Sequence, residues 1–325
     1  MAERTAAPPR PADDEGVLVA AGPELAQLLV VLLWASTFVV SKGIFAQIAP
    51  LPYTAVRFLL MTLLAFGVLL ARRRGALPAI RREDLGRFLL VAFVGYVAYQ
   101  LAFVFGLERT SPFSSSLLVA MVPLFTVLIL AAMGERTPPQ GWLGLAVAVV
   151  GVGVFLWDKR GDGGTLLGDG LSLLAGVAFA AYGVFNRPLV GRYPSEVHSA
   201  YTTLFGAVPL ILLALPTAAD TNWGAVSGPA WLAVVYMAIF PVYVAYQLWN
   251  WAISRRGVAA ATTFSLLVPI ASGILSAIFY GEAFGVWKTV GAALVLTGLV
   301  IVRLRPETFA GWRPRRADGH EGGRG

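Results

Sequence analysis

The sequence predicts an all-α integral membrane protein whose ten transmembrane helices form two inverted five-helix repeats. The first observation is composition. Of the 325 residues, 57% are hydrophobic and only 13% are charged, whereas soluble domains carry about 25% charged residues. The second is a duplication, because the hexapeptide YVAYQL occurs at residues 96–101 and again at 243–248. The third is the uneven distribution of Lys and Arg between the apolar stretches, which predicts the direction of each helix.

Ten apolar stretches are long enough to cross a bilayer, since a hydrocarbon core of about 30 Å needs about 20 helical residues. The mean hydropathy of the chain, +0.72, agrees with a location in lipid. The predicted spans are residues 25–47, 51–71, 87–107, 111–133, 140–157, 170–189, 199–216, 230–252, 258–280 and 285–303.

The segments outside the spans are polar. Residues 1–23 contain prolines and an acidic run but no apolar core with a cleavage site, so we expect a disordered cytoplasmic tail and not a signal peptide. Residues 304–325, rich in Gly and Arg, are predicted to be a second such tail. The polar segment 158–169 is the predicted linker between a first repeat, residues 24–157, and a second repeat, residues 170–303.

The duplication extends beyond the hexapeptide, because other residues recur at an offset of 146 to 147 positions. An internal repeat of this length determines the architecture and precedes any interpretation of single residues. The matched residues are Pro123 and Pro269, Gly134 and Gly281, Glu135 and Glu282, and Gly144 and Gly291.

Charge predicts the topology. With a cytoplasmic N-terminus, nineteen Lys and Arg residues lie in inside segments or at the inner ends of spans, five lie in outside segments or at the outer ends of spans, and Arg57 lies within the second span. The positive-inside rule therefore places both termini in the cytoplasm. Because each repeat contains five spans, an odd number, the second repeat enters the membrane from the opposite side. Inverted repeats are typical of secondary transporters, in which two near-symmetric halves exchange inward-open and outward-open states.

Several kinds of site are excluded. The chain has no cysteine, so disulfides and thiol chemistry are absent. Its two histidines, His198 and His320, cannot form a metal cluster with the sparse carboxylates, and no P-loop motif occurs. We expect no catalytic residue, no metal and no cofactor. The net charge of +7 is explained by topology, so no nucleic-acid partner is expected.

Polar and aromatic side chains share one face in the third and eighth spans, at i, i+3, i+4 and i+7. An amide that faces acyl chains lacks partners, so we expect these faces to point toward each other across a cavity. Such a lining suits a zwitterionic or heteroaromatic solute, and interhelical packing is the alternative. The candidates are Tyr96, Tyr99 and Gln100 in the third span and Tyr243, Tyr246, Gln247 and Asn250 in the eighth.

Five further residues are candidates for the cavity: Trp34 and Thr37 in the first span, Arg57 in the second, and Tyr182 and Asn186 in the sixth. Trp34 lies too deep for an interfacial belt. For Arg57 two roles stay open, namely snorkelling to the headgroups and pairing with a substrate carboxylate or with Glu108.

Prolines near the middles of three spans predict kinks, because each removes a backbone donor. Paired interruptions in two halves point to a transport site, and a kink that improves packing is the alternative. These residues are Pro123, Pro241 and Pro269. No Asp or Glu lies deep in a span, and the carboxylates near span ends, predicted to be solvated loop or cap residues, are Glu108, Glu135 and Glu282.

The chain also resembles a known family. Trp34 followed by residues 36–38, then Pro50 and the pair Arg57-Phe58, resemble the opening of an EamA domain, and the Pro123 helix with its Gly-Glu pair recurs in the second copy. The resemblance covers roughly residues 25–303. It implies a transporter of the drug/metabolite transporter superfamily, with helices 1 to 4 and 6 to 9 around a cavity and helices 5 and 10 peripheral. Phe179 stands where the first copy has Trp34.

We therefore expect a secondary transporter of the cell membrane that exports amino acids or related metabolites by alternating access. Import, broad drug export, and a membrane scaffold or integral-membrane enzyme stay open as alternatives, although an enzyme should place His, Asp or Ser clusters at one depth. The expected partners are a small-molecule substrate and the lipid bilayer. Small residues in the fifth and tenth spans permit either packing within the chain or a homodimer.

Overall fold

The structure, a computed structural model, describes residues 14–75, 77–135, 139–158, 166–249, 251–252, 255 and 264–303. These residues form ten helices and no strand, which confirms the predicted fold class. The helices are α1 Asp14–Ile44, α2 Pro50–Arg72, α3 Arg82–Arg109, α4 Pro112–Ala132, α5 Pro139–Asp158, α6 Leu166–Val190, α7 Ser195–Ala219, α8 Gly228–Trp249, α9 Leu267–Tyr280 and α10 Val286–Arg303.

Nine of these helices are long and apolar enough to cross a membrane, and α9 is shorter. The predicted start of α9, at residues 258–263, lies outside the described residues, as do Asn250 and the segment 304–325. Helix α1 begins inside the segment predicted as a tail, and α6 begins inside the predicted linker.

The ends of the helices follow local rules of capping. The Ser111 side chain accepts a hydrogen bond from the Ser114 backbone N–H at 3.1 Å, with Pro112 in the first turn of α4. Gly134 and Gly281, at φ 84° and 62°, follow α4 and α9. This left-handed conformation favours glycine and ends a helix, so the matched Gly-Glu pairs mark equivalent helix ends in the two repeats.

Both α3 and α8 contain a π-helical stretch at equivalent positions. In α3 it covers Phe93–Ala98 and in α8 it covers Phe240–Val244, so each stretch contains the start of a YVAYQL copy. The second stretch includes Pro241, but the first contains no proline. The widened turn is therefore a property of the repeat and not of the proline alone. Such turns leave some carbonyls without an i+4 partner and often occur at functional sites.

The other two prolines begin helical segments. Helix α4 is interrupted by a turn at Ala120 and Met121 and resumes at Val122, with Pro123 in the new first turn. Pro269 likewise lies in the first turn of α9, after a turn at residues 265–266. A proline costs little at a first turn, where its missing N–H would have no helical acceptor.

Helix packing is pseudo-symmetric. Equivalent helices pair directly, α5 with α10 and α2 with α7. Helix α1 contacts α8 and α9, just as its repeat equivalent α6 contacts α3 and α4. Helix α8 also contacts α2, just as its equivalent α3 contacts α7. Helices from the two repeats are therefore interleaved, and α3 and α8 pack mainly on other helices instead of on each other.

The α5–α10 pairing depends on glycines. A β-carbon on Gly291 would lie 2.5 Å from the Phe155 backbone nitrogen, and one on Gly298 would lie 2.5 Å from the Gly144 carbonyl oxygen. No real β-carbon approaches backbone so closely, so the two helices are in backbone contact at these points. The small-residue faces of α5 and α10 are occupied by each other within one chain.

Gly291→Ala should therefore destabilise the protein, whereas Gly153→Ala should not. The added methyl group at position 291 meets the backbone of α5, and overpacking costs about 1–3 kcal/mol. Gly153 also lies on α5, but a β-carbon there would have no neighbouring atom within 4 Å. Thermal denaturation in detergent, followed by size-exclusion chromatography, measures the difference. Equal midpoints for the two variants would contradict the close contact.

Candidate functional site

Aromatic side chains of both repeats meet in the interior of the bundle. The Tyr96 ring of α3 lies 5.9 Å from Phe58 of α2 and 5.9 Å from Tyr182 of α6, measured between ring centroids. Tyr99 lies 5.1 Å from Phe179, which stacks on Tyr182 at 5.7 Å. These edge-on and stacked pairs join α3 of the first repeat to α6 of the second.

Trp34 connects α1 to the interrupted part of α8. Its Nε1–H donates to the Pro241 carbonyl at 3.1 Å, within the π-helical stretch. Its ring lies 6.0 Å from Tyr246 and 5.0 Å from Trp249. Trp34 therefore supplies a donor to a carbonyl at the interruption, as the apolar surroundings of a membrane helix require.

Tyr246 extends the aromatic residues to α8. It is 47% exposed, although its ring lies 6.0 Å from Trp34, which is itself bonded to α8 within the bundle. An exposed ring beside an interior side chain lines an open space. Of the predicted residues, Tyr96, Tyr99 and Tyr182 thus form one cluster through Phe179, and Tyr246 lies beside Trp34.

Arg57 is buried in the bundle. Arg57 is 6% exposed, and its Nη1–H donates a hydrogen bond to the Tyr53 hydroxyl oxygen at 3.2 Å. The Tyr53 and Ser41 hydroxyls are hydrogen bonded at 3.0 Å. Since a guanidinium only donates, the Tyr53 oxygen is the acceptor and its proton is available to Ser41. The two hydroxyls hold Arg57 in one orientation.

No carboxylate neutralises Arg57 within the part of the chain that the structure describes, because none of the ion pairs there includes it. Its Nε is buried without a hydrogen-bond partner. The alternative partner, Glu108, pairs with Arg109 at 2.5 Å instead. A buried charge is costly unless it is paired, so this guanidinium is suited to receive an anionic group.

The predicted amides differ in their surroundings. Gln100 is 2% exposed, and its Nε2 has no hydrogen-bond partner, whereas its repeat counterpart Gln247 is exposed. Asn186 is buried and hydrogen bonded to His198 of α7 at 2.6 Å, which gives it a structural partner. The Thr37 hydroxyl donates to the Leu33 carbonyl of its own helix at 3.3 Å. Tyr243 is half-buried, and Asn250 lies outside the described residues.

The prediction that Glu282 is a solvated cap residue is wrong. Its carboxylate is 8% exposed and pairs with Lys288 at 2.7 Å. Burial alone raises the pKa of Glu282, but hydrogen bonds from Lys288, Ser111 and Ser276 outweigh it and hold the pKa below its ordinary value. The carboxylate is therefore ionised at neutral pH. Its counterpart Glu135 has a side chain that is 55% exposed, in agreement with the prediction.

Interleaved apolar helices in two repeats, with buried polar and aromatic side chains between them, define a multi-pass membrane protein. The sequence profile of the EamA-like transporter family matches residues 23–157 and 166–304. The chain therefore belongs to the EamA-like transporter family, and it contains the family's domain twice.

Named relatives agree with this assignment. The chain is 26% identical over 272 residues to "Uncharacterized transporter YyaM" of Bacillus subtilis, covering 82% of this chain and 88% of the relative. It is 28% identical to "Probable terminal-alkyne amino-acid exporter" of Streptantibioticus cattleyicolor, with 86% and 93% covered. It is 27% identical to "Probable amino-acid metabolite efflux pump" of Escherichia coli, with 84% and 92% covered.

A solved crystal structure shares the fold. It superposes with a TM-score of 0.58 at 23% identity, over 87% of this chain and 97% of the other. The family and the names of the relatives indicate a transporter and not an enzyme.

Tyr53→Phe should destabilise the protein more than Tyr236→Phe does. The first change removes the acceptor of a buried charged donor, which costs about 1.5–3 kcal/mol, whereas the Tyr236 hydroxyl bonds only the neutral Ser36 hydroxyl, at 2.7 Å. Apparent melting temperatures in detergent measure both losses. Equal losses would mean that Tyr53 does not hold the guanidinium.

Proposed function

We propose that the protein exports a small metabolite with a free carboxylate, of the amino-acid class, by alternating access through the interior of the bundle. The observation that carries this proposal is Arg57, a buried guanidinium with an unpartnered Nε beside an aromatic cluster. The names of two relatives, an amino-acid exporter and an amino-acid metabolite efflux pump, support the substrate class.

The chemistry of the site suits such a solute. A guanidinium presents parallel N–H groups that match a carboxylate, and the orientation set by Tyr53 reduces the entropy lost on binding. The rings of Tyr96, Tyr99 and Tyr182 offer apolar faces to a hydrocarbon or aromatic side chain. The Gln100 amide is free to bond a polar group of the solute. Because Arg57 and Gln100 are buried, a polar contact with either is stronger than in solvent.

The route follows from the repeats. Residues 24–157 and 170–303 are the proposed halves, with both termini in the cytoplasm of a cell whose plasma membrane contains the protein. The interrupted helices α3, α4 and α8 supply points where backbone geometry can change without breaking a continuous helix. Transport of this kind needs no catalytic residue and no cofactor.

Arg57→Gln should reduce flux of carboxylate solutes selectively. We expect liposomes that contain the native protein to transport at least one radiolabelled amino acid from a panel of alanine, leucine and phenylalanine faster than protein-free vesicles do. Loss of a charged contact worth about 1.4 kcal/mol lowers the initial rate at low concentration about tenfold. The matching amino-acid amides, which have no carboxylate, should not change with the variant. Equal effects on acids and amides would reassign Arg57 to structure.

Two outcomes would contradict the proposed function itself. The first outcome is that no amino acid moves faster than in protein-free vesicles, in either direction and with or without a pH gradient. This result would contradict the proposed substrate class. The second outcome is that cationic dyes are transported and amino acids are not. This result would favour broad drug export over amino-acid export.

Gln100→Ala and Gln247→Ala test the amide lining. Loss of one hydrogen bond, about 1 kcal/mol, should lower flux about fivefold for Gln100, which lies within the bundle. A smaller decrease is expected for the exposed Gln247. Monodisperse elution in detergent controls for folding. Native rates in both variants would assign the amides to packing.

A further inference from the structure

Two pairs of opposite charges occupy equivalent positions in the two repeats. Glu135 and Glu282 each follow the left-handed glycine at the end of α4 and α9. The offset that aligns Trp34 with Phe179 also aligns Lys42 with Arg187, and these two cations lie in the last turns of α1 and α6. Repeat symmetry therefore relates a Lys42 and Glu282 pair to an Arg187 and Glu135 pair.

The two pairs lie at opposite ends of the molecule. Glu282 is hydrogen bonded to Ser111, directly before the first residue of α4. Glu135 follows the other end of the same helix and lies 3.8 Å from Arg187. Since α4 crosses the bundle, the first pair is at one membrane face and the second pair is at the other. With the termini in the cytoplasm, the Glu282 end is external.

The Glu282 end is closed by a buried network. The Glu282 carboxylate accepts hydrogen bonds from Ser111 of α4, Ser276 of α9 and Lys288 of α10, the last at 2.7 Å. The Glu282 and Lys288 side chains are 8% and 9% exposed. One carboxylate thus joins three helices, and only Ser111 belongs to the first repeat.

Lys42 holds the neighbouring turn between α3 and α4. Its ammonium group donates to the carbonyls of Leu107, Glu108 and Thr110 at 2.9, 2.7 and 2.9 Å, so all three protons are used. A cation at the C-terminus of α3 is also favoured by the helix dipole. Thr110 is followed directly by Ser111, which donates to Glu282, so Lys42 and Glu282 hold adjacent residues of the same turn.

Apolar packing completes the closure. The Phe113 ring of α4 lies 4.9 Å from Phe284, and a β-carbon on Gly273 of α9 would lie 2.9 Å from Phe113. The Lys288 ammonium lies 5.2 Å from the centre of the Phe284 ring. The start of α4 is therefore enclosed by α9 and the segment that leads into α10.

The equivalent pair at the other end is loose. Arg187 and Glu135 are 3.8 Å apart, and their side chains are 40% and 55% exposed. An exposed pair at this separation contributes about 0–1 kcal/mol. The offset of 147 residues places Gly141 opposite Lys288, so the second pair has no counterpart of that lysine.

We propose that Lys42, Ser111, Glu282 and Lys288 form the latch of one gate of the transport path, and that Arg187 and Glu135 belong to the gate at the other face. The assignment rests on the proposed transport function, since a gate needs a path. Two near-symmetric halves can exchange the tight and the loose arrangement. Because only the first gate includes Lys288, the protein rests with the Glu282 end closed.

Cysteine accessibility tests the latch without any substrate. The chain contains no cysteine, so Tyr246→Cys, in the open interior space, is the only thiol. A membrane-impermeant maleimide is applied to intact cells and, separately, to inverted vesicles. In the Tyr246→Cys protein without further substitutions, we expect labelling mainly from the membrane face at which Glu135 lies. Adding Glu282→Gln should raise the labelling rate from the opposite face at least tenfold, whereas the matched control Glu135→Gln should not.

Two milder variants keep the test decisive if Glu282→Gln fails to fold with Lys288 unpaired. Ser111→Ala removes the bond to Glu282 together with the side-chain cap of α4, and Lys42→Met removes the three bonds to the carbonyls of the turn between α3 and α4. Each should raise the same rate severalfold in protein that elutes as a single peak. If the labelling rates of both variants lie within twofold of the rate of the Tyr246→Cys protein, the proposed latch is wrong. Changed labelling without amino-acid flux would leave the latch standing and remove the proposed substrate.

Discussion

Every polar group inside a bilayer needs a partner within the protein, and this constraint accounts for the main features of the structure. Continuous helices satisfy their own backbones, and the interruptions must be satisfied by other elements. Trp34 shows how this is done, because its indole N–H bonds the Pro241 carbonyl in the π-helical stretch of α8. The same constraint makes the exceptions informative. Arg57 and Gln100, like Gln27, are buried with donor atoms that have no acceptor, and the Arg57 guanidinium lies 5.5 Å from the ring of Phe58 in the aromatic cluster.

The duplication supplies two copies of each structural feature, and equivalent residues of the two copies have different surroundings. The hexapeptide YVAYQL begins in a π-helical turn in both repeats, yet Gln100 is buried and Gln247 is exposed. Trp34 bonds a carbonyl of α8, while Phe179 at the equivalent position can only stack, on Tyr99 and Tyr182. Equivalent residues in different surroundings are what the proposed gating requires, since an inverted-repeat transporter has one end closed while the other is open.

Sequence predicts the helices well and their contacts poorly, for a physical reason. Hydropathy and capping are local, so the ten helices and the glycine ends of α4 and α9 follow from the order of residues. Burial at helix ends is a tertiary property. Glu282 looks like a cap residue in sequence, and only the approach of Ser111, far away in the chain, makes it a buried anchor. Asn186 likewise finds His198. The one feature of the sequence that indicates burial of Glu282 is Lys288, six residues later. Glu135 has no lysine at the equivalent position.

The proposed solute site and the proposed latch meet at one end of α1. Ser41 bonds Tyr53, which holds Arg57, and the next residue, Lys42, grips the turn between α3 and α4. Adjacent residues of a helix move together, because its backbone bonds allow little relative displacement. A ligand shifts an equilibrium only by its different affinity for the two states. If the proposed solute binds Arg57 more tightly when Tyr53 and Ser41 are displaced, its binding also weakens the hold of Lys42 on the turn, and the proposed site and gate are then coupled through two consecutive side chains of α1.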